Sequence, residues 1–387
     1  EIRLSLVGSE MCIRDRVIDS LDLKNYRNYD ILDMNFDKNV NIIYGDNAQG
    51  KTNILESIYM CATSRSHRGS KDKEMIRFGE SESHIKANVL KNNINYRIDM
   101  HLKGNKAKGI AINGIPIKKA VDLFGIIQIV LFSPEDLNII KNGPSERRRF
   151  MDMELSQLNK IYLSNLVNYN KVLVQRNKLL KELSFNMTDE LLSTLDIWDM
   201  QLVHYGRSII DGRIKFVEEL NDIISSIHSN LTGSKEKLVV EYAPYTTAER
   251  LEDMVSASRD KDIRYKSTGI GPHKDDLVFY INGQDVRKYG SQGQQRTTAL
   301  SLKLSEIELV KKLTKDNPIL LLDDVLSELD SNRQNYLLNS IGDIQTIITC
   351  TGLDEFINNR ININKVFKVT NGTVSHVQCG DGTAEMR

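Results

Sequence analysis

The hydrophobic positions of this chain change period several times, and each change marks a new element. From Val17 to Tyr44 the pattern is strand-like. Ile18, Leu21 and Leu23 open it, and Val40, Ile42, Ile43 and Tyr44 form an apolar run that stops at Gly45. A short apolar run bounded by glycine predicts a buried strand. Thr52 to Cys61 then predicts a helix with Ile54, Leu55 and Ile58 on one side. Between His84 and Val130 the chain alternates in short segments, with Asn113-Gly114 as a hairpin turn, since both residue types accept positive φ.

From about Ser145 to His228 the period is helical. Leu155, Leu158, Tyr162, Leu166, Tyr169, Leu173 and Leu180 recur at helical spacings. A polar break at Asn186 to Asp189 follows, and then Leu191, Leu195, Trp198, Leu202, Tyr205 and Ile209 step alternately by four and three. Two such stripes joined by a turn predict an antiparallel helical hairpin, with Trp198 and the tyrosines as core. It is an arm, too short for a long coiled coil. Strand character returns at Leu238 to Tyr242, and a hairpin over Leu277 to Val286 turns at Asn282-Gly283. A long helix over Gln292 to Leu313, a strand at Ile319 to Leu322, a helix from Ser331, a strand at Thr346 to Thr349 and short closing strands complete the pattern.

Length adds that 387 residues fit two lobes with substantial cores rather than one. The hydrophobic (40%) and charged (27%) fractions are those of a globular chain. The longest apolar runs, such as Ile126 to Phe132, fall far short of the roughly 20 residues that span a bilayer. Cys12, Cys61, Cys350 and Cys379 form no CxxC pair. That argues against a zinc site or a disulfide scaffold and suits a cytoplasmic protein. Basic and acidic residues number 52 each, so any nucleic-acid surface must be local. Glu1 to Arg16 has no signal-peptide features and is read as an extraneous leader outside the fold; Cys379 to Arg387 is read as an unstructured tail.

Candidate chemistry begins at Gly45-Asp46-Asn47-Ala48-Gln49-Gly50-Lys51-Thr52, which matches G-x-x-x-x-G-K-[ST] at every fixed position. The glycines let the backbone curl so that its N–H groups and the following helix start point at phosphate oxygens. Lys51 supplies a cation for the β and γ phosphates of ATP, and the Thr52 hydroxyl a ligand for Mg²⁺. The predicted flanks, a buried strand and a helix, are those the motif needs. Ile319 to Asp324 adds an apolar strand ending in two acids. Asp323 can reach Mg²⁺, and Asp324 can orient or deprotonate the attacking water.

A third motif precedes the long helix. In Tyr289 to Arg296, Ser291, Gly293 and Gln294 fill the S-x-G-Q core of the ABC signature. A helix start with a hydroxyl and a glycine open to close approach is an anion site. A chain that already has a P-loop has no use for a second phosphate grip in the same pocket. The ABC solution is a head-to-tail homodimer, with ATP held between one P-loop and the other subunit's signature. Ser327-Glu328-Leu329-Asp330 resembles the D-loop found at that seam.

Most of the chain separates Lys51 from Asp323, and the helical hairpin lies between them. That layout is SMC-like and unlike a compact transporter ATPase subunit. Finer matches resemble the RecF family: Leu23 to Tyr29, Ser64 to Arg68, Phe132 to Leu137, Pro144 to Asp152, and above all Gly271-Pro272-His273-Lys274-Asp275-Asp276 with Ser291 to Thr297. The resemblance runs from Val17 to Val374. It implies an α/β, ABC-type ATPase head, a P-loop core sheet plus an antiparallel β lobe, with an inserted α-helical hairpin arm. The corresponding division is leader 1–16, N-terminal head 17–145, arm 146–265, C-terminal head 266–378 and tail 379–387.

The resemblance also implies ATP-dependent binding to single-stranded, gapped or junction DNA, RecR and RecO as partners in loading RecA, and a part in gap repair and the SOS response. Three departures from ABC ATPases are visible: Glu135 in the Q-loop place, Asp324 where glutamate is common, and hydroxyls at Thr349 and Thr351 in place of a switch histidine. The shorter carboxylate and the missing switch histidine point to slow hydrolysis, with ATP acting mainly to hold the dimer. An ABC transporter ATPase subunit, another SMC-like ATPase, and a P-loop kinase or GTPase are the competing readings. Arg65, Arg68, Lys71 and Lys73 are candidate DNA contacts or a solvated face. Arg147 to Arg149 are either a second basic cluster or the arm's anchor. Arg27 can stack on adenine, reach phosphate or form a strand-end salt bridge, and His273 is read as structural.

Overall fold

The computed structural model describes residues 16–342, 344–352 and 363–377. In chain order the first elements are β1 (Arg16–Tyr26), β2 (Tyr29–Asn35), β3 (Val40–Tyr44), α1 (Lys51–Thr63), β4 (Glu82–Lys91), β5 (Ile94–Lys103), β6 (Lys106–Ile112), β7 (Ile115–Pro116) and β8 (Ile129–Phe132). Helices α2 (Leu137–Lys141), α3 (Pro144–Leu158), α4 (Lys160–Leu183) and α5 (Asp189–Thr232) follow. Next come β9 (Leu238–Ala243), α6 (Leu251–Ala257), α7 (Arg259–Tyr265), β10 (Asp276–Ile281), β11 (Gln284–Asp285) and α8 (Val286–Tyr289). The last are α9 (Gln292–Thr314), β12 (Ile319–Asp323), α10 (Ser331–Ile341), β13 (Thr346–Cys350), β14 (Lys365–Thr370) and β15 (Thr373–Val377).

The central sheet runs β15-β14-β3-β13-β12-β8 and is parallel except for the β14–β15 hairpin. Its inner strands β3, β13 and β12 are buried along nearly their whole length because both faces are covered. One face packs on α1 and, beyond it, on the antiparallel sheet β2-β1-β4-β5-β6-β7. The other face packs on Leu300, Leu304, Ile307 and Val310 of α9 and on Leu337 and Ile341 of α10. Ile54, Leu55 and Ile58 of α1 are fully buried, each such side chain contributing roughly 1.5–3 kcal/mol of hydrophobic stabilisation. The antiparallel sheet keeps a polar outer face, so β4 alternates Ser83, Ile85 and Ala87 inward with Glu82, His84 and Lys86 outward.

The helical hairpin is α4 against α5. The polar break of the sequence becomes the cap of α5, where Thr188 accepts from the Leu191 N–H. Asn159 caps α4 by accepting from the Ile161 and Tyr162 N–H groups. Satisfying these otherwise orphaned donors fixes where each helix starts. The stripe of α5 continues past Ile209 through Phe216, Leu220 and Ile224 to Ile227. It thereby carries the arm's base onto the core that covers the central sheet.

Two boundaries move. Arg16 opens β1 and is buried, with its guanidinium on Gln128 and 2.8 Å from Asp316. An inward-facing arginine carries no apolar signal, so hydrophobic periodicity begins one residue late, at Val17. β9 lies within the segment read as the helical arm, yet it pairs with β10 beyond position 265. The arm therefore closes on a small sheet, β11-β10-β9, and not on its last helix. The rest of the leader, Glu1 to Asp15, and the tail, Cys379 to Arg387, lie outside the described residues. Among the described residues no helix is long and apolar enough to cross a membrane.

Candidate nucleotide site

Parallel register gathers the predicted chemistry at one edge. Asp323 of β12 stands opposite Thr349 of β13, and Thr349 opposite Ile43 of β3. The loop after Tyr44, the Thr349 hydroxyl and the Asp323 carboxylate therefore emerge together at the carboxyl end of the sheet, where open α/β folds bind ligands.

The loop's shape depends on its two glycines. Gly45 has φ 155°, and a Cβ there would run into the Val369 carbonyl. Gly50 has φ 115°, and its Cβ would meet the Asn28 side chain and lie 2.8 Å from the Tyr29 hydroxyl. Asn28 in turn donates to the Gln49 carbonyl (2.7 Å) and accepts from Asn53 (2.8 Å). Asp46, Asn47 and Ala48 are exposed on the rim. Helix α1 starts with no side-chain cap and no acid in its first turn, which leaves its positive end to an anion. Lys51 is buried, and its ammonium donates to the carbonyls of Gly45 (2.6 Å) and Asp46 (3.1 Å).

Behind the lysine, the Thr52 hydroxyl donates to Asp323 Oδ1 (2.9 Å), and the Thr349 hydroxyl donates to the same oxygen (2.7 Å). Burial pushes the Asp323 carboxyl up from its usual range; hydrogen bonds from Thr349 and Thr52 oppose the shift, and nearby Asp324 and Glu135 add to it. The donors gathered here are a hydroxyl and carboxylate oxygens, with no thiolate or imidazole, a set that suits a small hard cation. Asp324 takes φ 52°, unusual for a residue with a side chain, and is held there by its N–H on the Thr349 hydroxyl (3.0 Å). Such strain accumulates at functional sites.

The signature stands apart. Ser291 caps α9, accepting from the Gln294 N–H (3.2 Å), while the Gln294 side chain accepts from the Ser291 N–H (2.9 Å). Gly293 meets nothing nearer than the Ser291 hydroxyl, and Ser291, Gln292 and Gly293 are exposed. The D-loop segment is tied to this helix: Arg333 pairs with Asp330 (2.9 Å) and donates to Thr297 of α9 (2.6 Å).

Other candidates fall on both sides. The Arg27 guanidinium is engaged by Glu56 of α1 (2.7 Å) and Ser70 (2.8 Å), which is the strand-end salt bridge. Arg65, Arg68, Lys71 and Lys73 are exposed on the segment between α1 and β4. Arg68 reaches Asn53 in the first turn of α1 (3.3 Å). Arg147 and Arg148 anchor the arm: Arg147 grips both oxygens of Asp276 (2.7 and 2.9 Å), and Arg148 donates to the Asp275 carbonyl (2.7 Å). Arg149 donates to the His67 carbonyl (2.7 Å). His273 lies between the Tyr169 hydroxyl (2.6 Å) and the Thr268 carbonyl (3.1 Å), and burial lowers its imidazole to about 4.

Sequence reasoning missed Thr349 as a partner of Asp323, and it missed Glu56, Arg213 and Asp152. Arg213 was detectable as a charge falling on the apolar stripe of α5, as does Asp199. It pairs with Asp275 (3.0 Å) and Asp152 (2.8 Å).

This fold and this edge define an ABC-type ATPase head of the SMC kind. Smc head domains share the fold, as in the Pyrococcus furiosus head at TM-score 0.55 and 16% identity, which covers 94% of this chain and 96% of that one. The family model for the RecF/RecN/SMC N-terminal domain matches residues 17–375. The "DNA replication and repair protein RecF" of Lachnospira eligens is 74% identical over 358 residues, 92% of this chain and 99% of that protein. That of Clostridium perfringens is 46% identical over 367 residues, 94% and 99% of the two chains. A solved structure of the recombination mediator protein RecF with ATP superposes at TM-score 0.88 with 36% identity, covering 95% of this chain and 99% of that one. The chain belongs to the RecF family.

Proposed function

We infer that this chain is an ATP-dependent recombination mediator of the RecF kind, acting in DNA replication and repair. The observation that carries this reading is the division of the site. Lys51 on the loop carbonyls and Thr52 on Asp323 lie at the sheet edge, while an exposed, glycine-open helix start carries the signature motif elsewhere on the surface. Lys51 and the uncapped start of α1 hold the triphosphate of ATP, and Thr52 with Asp323 holds Mg²⁺. The bound cation neutralises phosphate charge. Asp324 orients water, and the short side chain of that acid together with a hydroxyl, Thr349, in place of a switch histidine favours slow turnover. A second copy of the chain then completes the cage with Ser291, Gly293 and Gln294.

The exposed row Arg65, Arg68, Lys71 and Lys73 is proposed to meet DNA phosphates, which makes affinity fall steeply with salt. Arg68 stands beside the P-loop helix, so nucleotide and DNA occupy neighbouring surfaces in this reading. The family resemblance supplies RecR and RecO as partners and RecA loading as the outcome. Sedimentation of the chain with and without ATP, each with and without gapped DNA, tests the assignment. ATP should convert monomer to dimer, and Ser291→Arg should stay monomeric while still binding ATP. Dimers of Ser291→Arg that persist at unchanged affinity would refute the shared cage.

A further inference from the structure

The outer face of the antiparallel sheet carries a second cluster of ligand-type side chains, remote in sequence from the P-loop and the acidic strand end. His84 of β4 and His101 of β5 are directly opposed across the ladder. Glu82 lies two residues before His84, so the period of two along a strand puts its side chain on the same face. The His101 Nε2 atom is 2.9 Å from Glu82 Oε2, and the His84 Nε2 atom is 3.8 Å from Glu82 Oε1. The two imidazoles stack with centroids 4.0 Å apart. One ligand atom from each of the three residues falls within 4.8 Å of the others.

We propose that Glu82, His84 and His101 bind one divalent transition-metal ion, Zn²⁺ being the natural occupant by ligand type. Ligand–metal bonds of about 2.0–2.2 Å in a tetrahedron need ligand atoms roughly 3.3 Å apart. The two carboxylate–imidazole separations, 2.9 Å to His101 and 3.8 Å to His84, bracket that spacing, and the His84 ring must turn out of its stack for its nitrogen to converge on the ion. Both histidines sit on paired strands whose inward neighbours Ile85, Met100 and Leu102 are buried, so the backbone that carries the ligands is fixed before the ion arrives. Three protein ligands leave the fourth position to water.

Ligand chemistry selects the ion. Two imidazoles and one carboxylate suit zinc, nickel or copper, whereas Mg²⁺ and Ca²⁺ prefer all-oxygen cages. Lys24 lies near His84 and Lys103 near Glu82. These cations oppose an ion held by charge alone and leave the cluster to metals that bond to nitrogen. Bound metal would tie β4 to β5 next to Lys24 of β1, which stands opposite His84, close to the turn that carries Arg27.

The test uses the full chain, without a histidine tag, stripped of metal and kept in millimolar Mg²⁺ so that hard-cation sites are filled. Titration calorimetry with Zn²⁺ alone should give one equivalent, and Co²⁺ should give visible d–d absorption with imidazole ligation. His84→Ala and His101→Ala should each weaken Zn²⁺ binding at least about tenfold, with ATP binding unchanged as the control for folding. No zinc uptake by the wild-type chain at micromolar concentration overturns the proposal. So does uptake that the two histidine variants leave unaltered.

Discussion

The nucleotide edge and the arm junction are both dense in charge, and they are finished in opposite ways. At the junction, Asp275 accepts from Arg213, Tyr242 and the Tyr245 N–H, Asp276 takes both arms of Arg147, and Arg148 closes on the Asp275 carbonyl. Arg213 and Asp275 are almost completely buried, and their groups satisfy one another. At the nucleotide edge, the start of α1 has no side-chain cap, Asp46 to Ala48 face solvent, and among the described residues Lys51 donates to the loop's own carbonyls. Charge that is internally matched rigidifies the scaffold, while charge and dipole left open bind a ligand. The Gly271 to Asp276 segment, the sharpest family feature of the sequence, thus belongs to the scaffold.

That contrast breaks first at Arg213. Arg213→Ala leaves Asp275 buried without its cation and should cost about 3–5 kcal/mol in urea unfolding, while ATP affinity measured on the folded fraction stays within a factor of a few. A loss of ATP binding without a loss of stability would place the junction in the nucleotide site. Lys51→Ala should do the reverse. It should remove about 3 kcal/mol or more of ATP binding, read by fluorescent-nucleotide titration, with unfolding nearly unchanged.

A smaller effect sharpens the boundary between the two regions. Buried Glu154 of α3 and buried Lys303 and Glu306 of α9, with half-buried Asp136 beside Glu135, join arm, signature helix and Q-loop position. Burial, opposed by Lys303 and reinforced by Asp136, pushes the Glu154 carboxyl up to about 7 from an ordinary 4.5. A raised carboxyl contributes stability that is complete below its ordinary value and is lost as pH rises through about 7. Glu154→Gln should therefore match the wild type near pH 4, below the ordinary carboxyl value, and exceed it by roughly 1–3 kcal/mol at pH 8. Thermal melts at the two pH values decide it, and equal differences at both would remove Glu154 as the titrating group.

Much of this was legible in the chain. The apolar run ending at Gly45, the glycine spacing of the loop and the paired acids after Leu322 follow short-range rules, as do the Asn113-Gly114 and Asn282-Gly283 turns with positive φ at all four residues. The alternating steps of Leu191 to Ile209 give the second arm helix. Single charged residues were harder to place. Arg16, Arg27, Arg147 and Arg213 look alike in sequence, and only their partners, Asp316, Glu56, Asp276 and Asp275, reveal what each one does.

The sequence by itself determined the elements and the phosphate-binding loop, because backbone conformation and helix or strand period are set by neighbours within a few residues. Tertiary structure alone decided that Thr52, Asp323 and Thr349 share one hydrogen-bonded cluster and that Glu82, His84 and His101 meet on one face. Those encounters depend on strand order and register, which join residues far apart in the chain. No local pattern records which distant strand will lie alongside.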